Sequence, residues 1–246
     1  MRRFFIDEKA IEGNRAVATG NLFCHMTRVL RLKIGTRVLL SDGIGRRHVG
    51  VIESIGKENL VIRLEESSAE PERPAGPHIT LYQGLPKGSK MEFILQKCTE
   101  LGVDELVPFA ASRSIARLPQ DREVERLARW RRVVAEAARQ SNRPSIPELR
   151  PVLDFSELFA STDQTVKLLL WEEEKSNRLK SVLNSLPLPD SVAVMVGPEG
   201  GLTKDEVAAA SHAGFIPVTL GSRILRTETA GIALLAVLQF FWGDMG

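Results

Sequence analysis

The spacing of apolar residues along the chain changes near residue 78. Short β-rich runs separated by turns such as Asp42-Gly43 come first, at residues 36–41, 49–55 and 60–64. Residues 21–30 interrupt these runs with apolar residues at helical spacing. The first part of the chain is therefore predicted to be a small β-barrel with one short helix.

Beyond residue 78, short apolar strands alternate with helical segments. The predicted strands are residues 79–83, 105–109, 166–171, 192–196 and 215–220. The predicted helices are residues 89–101, 122–140, 176–186, 203–213 and 230–242. Continuous apolar strands bounded by helices indicate a parallel sheet covered on both faces, so the second part is predicted to be an α/β domain.

Helix boundaries in this second part have recognisable signals. Ser89 with Glu92, and Thr203 with Glu206, have the spacing of capping boxes. Gly102 is expected to end the first of these helices. The last helix is apolar on nearly every side and is predicted to be buried. Because the domain is small, we expect a second copy to bury part of that helix in a homodimer; burial within one chain is the alternative.

A change of composition separates the two parts. Residues 65–77 contain three prolines and several acidic residues but almost nothing apolar, which is typical of a solvated connector. We therefore predict a domain over residues 1–70, a linker over residues 71–77 and a second domain over residues 78–246.

Composition excludes several classes of protein. The two cysteines, Cys24 and Cys98, are far apart and have no histidine cluster nearby, so neither a disulfide framework nor a metal site is expected. The first residues are too charged for a signal peptide, and no apolar run is long enough to span a membrane. We expect a soluble cytoplasmic protein.

The net charge of +2 is nearly neutral, but basic residues are unevenly distributed. Residues 112–143 carry nine arginines against four acidic residues, which favours a face that attracts phosphate. The alternative is that the arginines only solvate one side of a helix. On that interpretation Arg122, Arg126, Arg129 and Arg132 face solvent, and Leu127, Trp130, Val134 and Ala137 face the core.

Two glycine-bearing turns each follow a short strand and precede a helix. The first is Gly197-Pro-Glu-Gly-Gly201, and the second begins at Gly221 and ends at Arg226. Glycine lets bare backbone groups approach a ligand, and ligand crevices of open α/β sheets lie at the carboxyl ends of strands. Ile224 and Leu225 stand between arginines in the second turn, where they would cover either a flat apolar ligand such as adenine or another chain.

These turns resemble, almost letter for letter, the cofactor loops of the RsmE family of SPOUT methyltransferases. The resemblance extends through His25-Met-Thr-Arg28, Leu85-Pro-Lys87-Gly88, Arg129-Trp130 and Leu220-Gly-Ser-Arg-Ile-Leu-Arg226. It therefore covers essentially the whole chain. Two departures are Leu202, where the family more often has Phe, and Asn142, where it more often has Gly; Leu202 should keep a packing role.

The resemblance implies an N-terminal PUA-like β-barrel and a C-terminal SPOUT α/β domain with a parallel sheet and a trefoil knot. It also implies S-adenosylmethionine as methyl donor and N3 of one uridine of 16S ribosomal RNA, in the small ribosomal subunit, as acceptor. Loss of the N3 proton leaves negative charge on the uracil ring, and we expect Arg226 to stabilise it. Glu199 and Glu228 are the candidate proton acceptors or arginine-orienting groups. Alternatively, Glu199 only holds its turn and Glu228 only favours the start of the last helix.

The remaining site predictions concern binding. The predicted cofactor-binding residues are Leu170, Gly197, Pro198, Glu199, Gly200, Leu220, Gly221, Ile224, Leu225 and Arg226. The predicted RNA-binding residues are Arg2, Arg3, Arg28, Arg31, Lys87, Lys90 and Arg113. No metal is required, because methyl transfer from a sulfonium depends on alignment of donor and acceptor. A methyltransferase for another RNA such as transfer RNA, and a non-catalytic ribosome-assembly factor, are the alternatives.

Overall fold

A computed structural model describes residues 1–42, 46–69, 76–114 and 120–246. The chain forms two compact units, one made of Met1–Arg73 with Ala138–Ile146 and the other of Pro74–Ala137 with Pro147–Gly246. Gly43, most of the predicted linker and the side chain of Arg122 lie outside the described residues.

The first unit contains a six-stranded sheet. Its strands are β1 (Arg2–Phe5), β2 (Ile11–Glu12), β3 (Arg15–Thr19), β4 (Arg37–Ser41), β5 (Arg46–Ile55) and β6 (Asn59–Ala69). Their order is β1-β4-β5-β6-β3-β2, and every pairing is antiparallel except that of β1 with β4. Alternate side chains meet in one core that includes Phe4, Val38 and Ile62. No ladder joins β1 to β2 among the described residues, so backbone hydrogen bonds do not close the predicted barrel.

The helix predicted over residues 21–30 consists of two pieces. Helix α1 (Gly20–Cys24) continues into one π-helical turn (His25–Val29), where the Leu30 amide donates to the His25 carbonyl at 2.9 Å. Phe23 and Met26 are buried in the core of the unit. Their spacing of three residues places both apolar side chains on the inner face.

Part of the acidic segment lies in the sheet of the first unit, within the domain predicted over residues 1–70. Residues 65–69 belong to β6 and pair with β5 in antiparallel register. The pairing satisfies the backbone while the side chains of residues 65–68 remain exposed. A polar composition is therefore compatible with an exposed strand as well as with a connector. A strand needs hydrogen-bond partners for its backbone, but it does not need apolar side chains where both faces are exposed.

The second unit is built on a parallel sheet, as predicted. Its strands are β7 (His78–Gly84), β8 (Glu105–Ala110), β9 (Glu148–Leu149), β10 (Leu153–Asp154), β11 (Val166–Leu170), β12 (Ser191–Val196) and β13 (Ile216–Val218). Their order is β10-β8-β7-β12-β11-β13, and β9 also pairs with β8. All of these pairings are parallel.

Helices cover both faces of this sheet. They are α2 (Lys90–Glu100), α3 (Gln120–Gln140), α4 (Leu179–Asn184), α5 (Lys204–His212) and α6 (Thr227–Trp242). Buried side chains of α2, α3, α4 and α6 pack in the core on one face. Val207 and Ala210 of α5 pack in the core on the other face, together with Leu202, which has the predicted packing role.

Two of the three predicted helix-boundary signals are confirmed, and one is wrong. Thr203 and Glu206 form the predicted capping box at the start of α5, and Gly102 follows the end of α2 with a φ of 89°. The Ser89 side chain makes no capping hydrogen bond, and Glu92 instead pairs with Arg129 at 2.8 Å. The capping box predicted there is wrong, because the glutamate has a charged partner on α3.

Helix α6 is buried along only one face. Leu234, Leu235 and Leu238 are fully buried, whereas Phe240 on the opposite face is 66% exposed. Val237 and Phe241 are also exposed. A single chain therefore buries one face of α6 and leaves the other uncovered in the described structure, and coverage of that face by a second copy stays a prediction.

Asn142 lies just beyond α3, within the first unit. Its φ of 55° is left-handed, and the Arg143 amide donates to the Ala138 carbonyl at 3.0 Å. The Asn142 amide donates to the Arg139 carbonyl, which completes a Schellman ending. Asparagine tolerates this backbone conformation better than most residues, so it substitutes for glycine here.

Candidate active site

The two glycine-bearing turns leave the same edge of the parallel sheet. Leu170 at the end of β11 pairs with Val196 at the end of β12 and with Val218 at the end of β13. The first turn (residues 197–203) and the second turn (residues 219–226) therefore begin on either side of β11. This is the carboxyl edge at which open α/β sheets bind ligands.

The first turn is tightly packed. A Cβ on Gly197 would lie 3.1 Å from Leu202 Cγ, and a Cβ on Gly84 would lie 2.6 Å from the ring of Pro198. Within the turn, the Gly201 amide donates to the Pro198 carbonyl at 2.9 Å. Glycine at position 84 is thus what lets β7 and this turn approach each other at backbone distance, whereas glycine at position 197 leaves room for Leu202 within the turn.

A hydrogen bond connects the first turn to the start of α6. The Thr227 hydroxyl donates to the Gly197 carbonyl at 2.6 Å, and Gln83 Nε2 donates to Thr227 Oγ1 at 2.9 Å. Thr227 and Gln83 are buried. This chain of hydrogen bonds holds the end of the second turn against the beginning of the first.

The second turn is open by comparison. Arg226 and Ile224 are exposed, at 81% of the side chain and 83% of the residue respectively. The backbone amides of residues 222–225 have no hydrogen-bond partner among the described residues. Leu220 and Leu225, in contrast, pack against the core. Of the two predicted apolar cover residues, Ile224 alone extends into solvent.

Four charged side chains form a chain of neighbouring charges beside the two turns. Lys90 Nζ is 2.9 Å from Glu199 and 3.5 Å from Glu228, and Glu228 is 3.9 Å from Arg226 Nη1. The Glu228 side chain is only 16% exposed, and its Oε2 has no hydrogen bond although Lys90 is near. The three predicted catalytic residues are therefore brought together, with Lys90 between the two carboxylates.

Both oxygens of Glu199 are already occupied by donors. The Lys87 amide donates to each of them at 3.1 Å, and Lys90 donates to Oε1. Burial raises the pKa of Glu199, but the hydrogen bonds from Lys90 and from backbone amides outweigh it and lower the pKa overall. A carboxylate held in its charged form in this way is better suited to anchoring than to accepting a proton.

The predicted RNA-binding residues have different surroundings. In the first unit, Arg2, Arg28 and Arg31 are exposed, whereas Arg3 donates to the Asn142 carbonyl at 2.8 Å. In the second unit, the Lys87 side chain is exposed and Arg113 donates to the Gly200 carbonyl at 3.0 Å. Lys90 and Arg113 therefore support the candidate site directly, which charge counting did not predict.

Sequence reasoning missed two residues of this site, Thr227 and Gln83. Thr227 has a signal in the sequence, since a hydroxyl residue opening an apolar helix is a candidate for bonding a neighbouring turn. Gln83 has a weaker signal, as the single amide at the end of an otherwise apolar strand. Neither signal identifies the partner, because the hydrogen bonds span 144 and 30 residues along the chain.

The donors and acceptors of the site suit a nucleoside. Polar groups come from the amides of residues 222–225, which have no partner among the described residues. Apolar surface comes from the exposed Ile224 and the half-buried Leu170 and Leu225. No group of three or more metal-ligating side chains occurs in the described ranges. Among those same residues, no helix has both the length and the apolar character to span a bilayer.

Comparison with known proteins defines the class to which this fold and site correspond. A family described as "RNA methyltransferase domain" matches residues 72–239, and one described as "RNA methyltransferase PUA domain" matches residues 18–65. The chain is therefore an RNA methyltransferase-type protein with an N-terminal PUA-like unit and a C-terminal parallel-sheet unit.

Individual relatives narrow this class. Ribosomal RNA small subunit methyltransferase E of Bacillus subtilis is 31% identical, over 98% of this chain and 96% of the relative. The Mycobacterium bovis protein of the same name is 34% identical, over 96% and 90%. The crystal structure of the Neisseria gonorrhoeae protein of that name, bound to S-adenosyl methionine, has a TM-score of 0.88 at 33% identity and full coverage of both chains. The chain belongs to the ribosomal RNA small subunit methyltransferase E family, and the predicted RsmE resemblance is confirmed.

Proposed function

We propose that this protein transfers the methyl group of S-adenosylmethionine to N3 of one uridine of 16S ribosomal RNA in the small ribosomal subunit. The observation that carries the proposal is the 2.6 Å hydrogen bond from Thr227 to Gly197, which joins the two turns into one site at the carboxyl edge of the sheet. Family membership supplies the donor and the class of acceptor.

In the proposed site, the two turns enclose the donor from opposite sides. Backbone groups near Gly197, Glu199 and Gly200 line one side, with Pro198 shaping the turn. Leu220, Gly221, Ile224, Leu225 and Arg226 line the other side, and Leu170 contributes from the strand between them. S-adenosylmethionine, when bound, supplies an electrophilic methyl group. The residues of this chain would hold that group facing the uracil nitrogen, and such positioning of donor and acceptor lowers the barrier of a simple displacement.

Arg226 has the position and freedom to act on the acceptor. Its side chain is 81% exposed at the end of the second turn, with Glu228 3.9 Å away. We assign Arg226 to the stabilisation of negative charge on the uracil ring as its N3 proton leaves. Because it is exposed and weakly paired, it is free to follow the base as the base enters the site.

The two candidate carboxylates have different roles in this proposal. Glu199 is the anchor of the first turn, since Lys87 and Lys90 already occupy its oxygens. Glu228 keeps one oxygen, Oε2, without a hydrogen bond at 3.5 Å from Lys90 Nζ, while its other oxygen is 3.9 Å from Arg226. We assign Glu228 as the group that accepts the N3 proton, because Oε2 has no hydrogen-bond donor to displace, and Arg226 as the cation that offsets the charge left on the ring.

The acceptor uridine must leave any stack or base pair to present its N3 edge. The exposed Arg2, Arg28 and Arg31 of the first unit and Lys87 of the second are the proposed phosphate contacts. Arg3, Lys90 and Arg113 have hydrogen-bonded partners and contribute to RNA binding mainly by their charge.

Two further features of the family are part of the proposal. A homodimer would cover Val237, Phe240 and Phe241, which form an exposed apolar strip on α6. A trefoil knot is supported by the path of the chain: β13 lies outside β11, yet α6 packs on the same face as the β11–β12 connection that contains α4. Residues 219–226 would then pass beneath that connection.

The proposed activity is tested with labelled S-adenosylmethionine and small ribosomal subunits that lack the modification. Nucleoside analysis after incubation identifies both the RNA and the methylated atom. The expected result is one N3-methyluridine per subunit in 16S ribosomal RNA. Methyl transfer to transfer RNA alone, or binding of subunits without any transfer, would contradict the proposal.

A further inference from the structure

A cavity of about 470 Å³ lies in the second unit, and no residue of the two turns lines it. One wall is the segment from Leu85 to Glu92, and the other is the first half of α3. Glu125, Arg126, Arg129 and Trp130 are the α3 residues that line it. The proposed methyl transfer uses none of these four side chains.

The floor of this cavity is apolar and aromatic. Leu85, Met91 and Trp130 are at most 4% exposed. The guanidinium of Arg126 lies over the Trp130 ring, with Cζ 4.6 Å from the ring centroid. The ring therefore holds the guanidinium in place at the cavity through a cation–π contact.

The polar groups at the cavity include donors and acceptors. Arg126 Nε is buried and has no hydrogen-bond partner in the described structure. Burial lowers the pKa of Arg126, and the nearby Glu123 opposes this effect. Glu92 and Arg129 pair at 2.8 Å, which fixes a carboxylate and a guanidinium at the rim. A buried donor without a partner is rare in native proteins and indicates a place for an acceptor from outside.

The cavity adjoins the candidate active site through a shared segment. Leu85, Pro86, Gly88 and Ser89 line the cavity, while Lys87 and Lys90 of the same segment contact Glu199. Only one stretch of backbone thus separates the cavity from the first turn. The cavity is therefore close enough to receive a nucleotide that neighbours one bound at that turn.

We propose that this cavity binds an unstacked nucleobase next to the methylated uridine, a proposal that rests on the function proposed above. The base would lie edge-on to the Arg126 guanidinium, which Trp130 holds in place, with a ring nitrogen or carbonyl oxygen accepting from Arg126. Glu92 and Glu125 would accept from an exocyclic amine. The volume is within the range of about 300 to 1,000 Å³ that encloses small ligands, so a single base with part of its sugar fits.

The test compares Arg126→Gln with Arg132→Gln. Arg132 is exposed on the same helix and does not line the cavity, so both variants lose one positive charge from α3 but only the first changes the cavity. The dissociation constant for unmethylated small subunits is measured for each, together with that for S-adenosylmethionine. We expect Arg126→Gln to weaken subunit binding about tenfold, within the range for loss of one base contact, and to leave donor binding unchanged. Arg132→Gln should change subunit binding less than threefold, as expected of one exposed phosphate-attracting charge.

A second measurement identifies the base. Small subunits are reconstituted with an abasic nucleotide at each of the two positions on either side of the methylated uridine. At one of these positions the tenfold difference between wild type and Arg126→Gln should disappear, because the contact is already lost. Arg126→Lys, which keeps the charge and the stem over Trp130 but not the planar fork, should behave like Arg126→Gln and guards against a folding defect in one variant.

Equal effects of Arg126→Gln and Arg132→Gln would overturn the proposal. A tenfold difference that persists with every abasic subunit would also overturn it, since Arg126 would then contact something other than a neighbouring base. These readouts are binding constants, so they do not depend on methyl transfer. Wild-type protein that binds subunits without methylating them would contradict the proposed function alone.

Discussion

The two glycine-bearing turns leave the same sheet edge, but the protein uses their backbones very differently. In the first turn, the carbonyls of Gly197, Pro198 and Gly200 accept hydrogen bonds from the chain itself. In the second, the amides of residues 222–225 have no partner among the described residues. The first turn is therefore a fixed wall, and the second offers free donors and the exposed Ile224 to a ligand.

This contrast teaches that similar composition does not imply a similar role. Preorganised groups give a site its geometry, while free groups give it capacity to bind. The difference also extends to the carboxylates, because Glu199 beside the first turn is saturated with donors and Glu228 after the second is not. Changes in the first turn should therefore act through shape, and changes in the second through lost contacts.

The largest expected effect is that of Gly197→Val. The added side chain would meet Leu202 and the Gly201 backbone at 3.1 to 3.2 Å, so the fixed wall must move. We expect no measurable S-adenosylmethionine binding by calorimetry, with the far-ultraviolet circular dichroism spectrum unchanged. Undiminished donor affinity would remove the first turn from the site.

Arg226→Ala should affect the reaction rather than the fold. Because the side chain is 81% exposed, its loss should leave thermal stability unchanged. We expect the single-turnover rate with saturating RNA and donor to fall by about a hundredfold to a thousandfold, as when one charge-stabilising group is removed. Arg223→Ala, exposed in the same turn, is the matched control and should keep most of the rate. A normal rate for Arg226→Ala would end its assignment as the charge-stabilising group.

The substitutions Glu228→Gln and Glu199→Gln distinguish the proposed roles of the two carboxylates. Loss of a proton acceptor typically costs about a hundredfold or more in rate, so Glu228→Gln should lower the single-turnover rate by about that factor. Glu199→Gln should mainly raise the dissociation constant of the donor, because Glu199 anchors the first turn through Lys87 and Lys90. The reverse pattern would exchange the two roles.

Thr227→Val removes the hydrogen bond that joins the turns while keeping a similar shape. The Gly197 carbonyl and Gln83 Nε2 would each lose a partner, which costs about 1 to 3 kcal/mol for a buried group. We expect about tenfold weaker donor binding and a lower melting temperature. Thr227→Ser keeps the hydroxyl and should recover most of the donor affinity. Failure of the serine variant to recover it would indicate that packing, not the hydrogen bond, matters here.

Glu206→Gln gives the smallest effect and tests the rigidity of the first turn. Burial raises the pKa of Glu206, but hydrogen bonds from Ser112 and Thr203 lower it overall. A carboxylate whose pKa is lowered by folding stabilises the fold at pH values above its ordinary pKa of about 4.3. This contribution is lost as the pH falls through the lower native pKa. Wild type should exceed Glu206→Gln in unfolding free energy by about 1 kcal/mol at pH 7, a typical value for a helix cap. Denaturant titrations should show the difference shrinking below about pH 4; a constant difference would contradict the charge-based explanation.

Much of the fold follows from local pattern in the sequence. The apolar strands β7, β8, β11 and β12 lie within one or two residues of their predicted bounds. Short strands such as β2 and β9 were missed, since two residues provide no periodicity to read. The apolar sequence of α6 predicted burial shared with a second copy, but it could not show which face of the helix the same chain covers.

The sequence by itself determined that two glycine-bearing turns follow buried strands and open helices, because glycine, capping residues and apolar runs act over a few neighbouring positions. Only the tertiary structure decided that β11 lies between their strands, that Thr227 reaches Gly197 and that Lys90 stands between Glu199 and Glu228. The physical reason is distance along the chain: Lys90 and Glu199 are 109 residues apart, and the packing of a whole sheet is needed to bring their charges together.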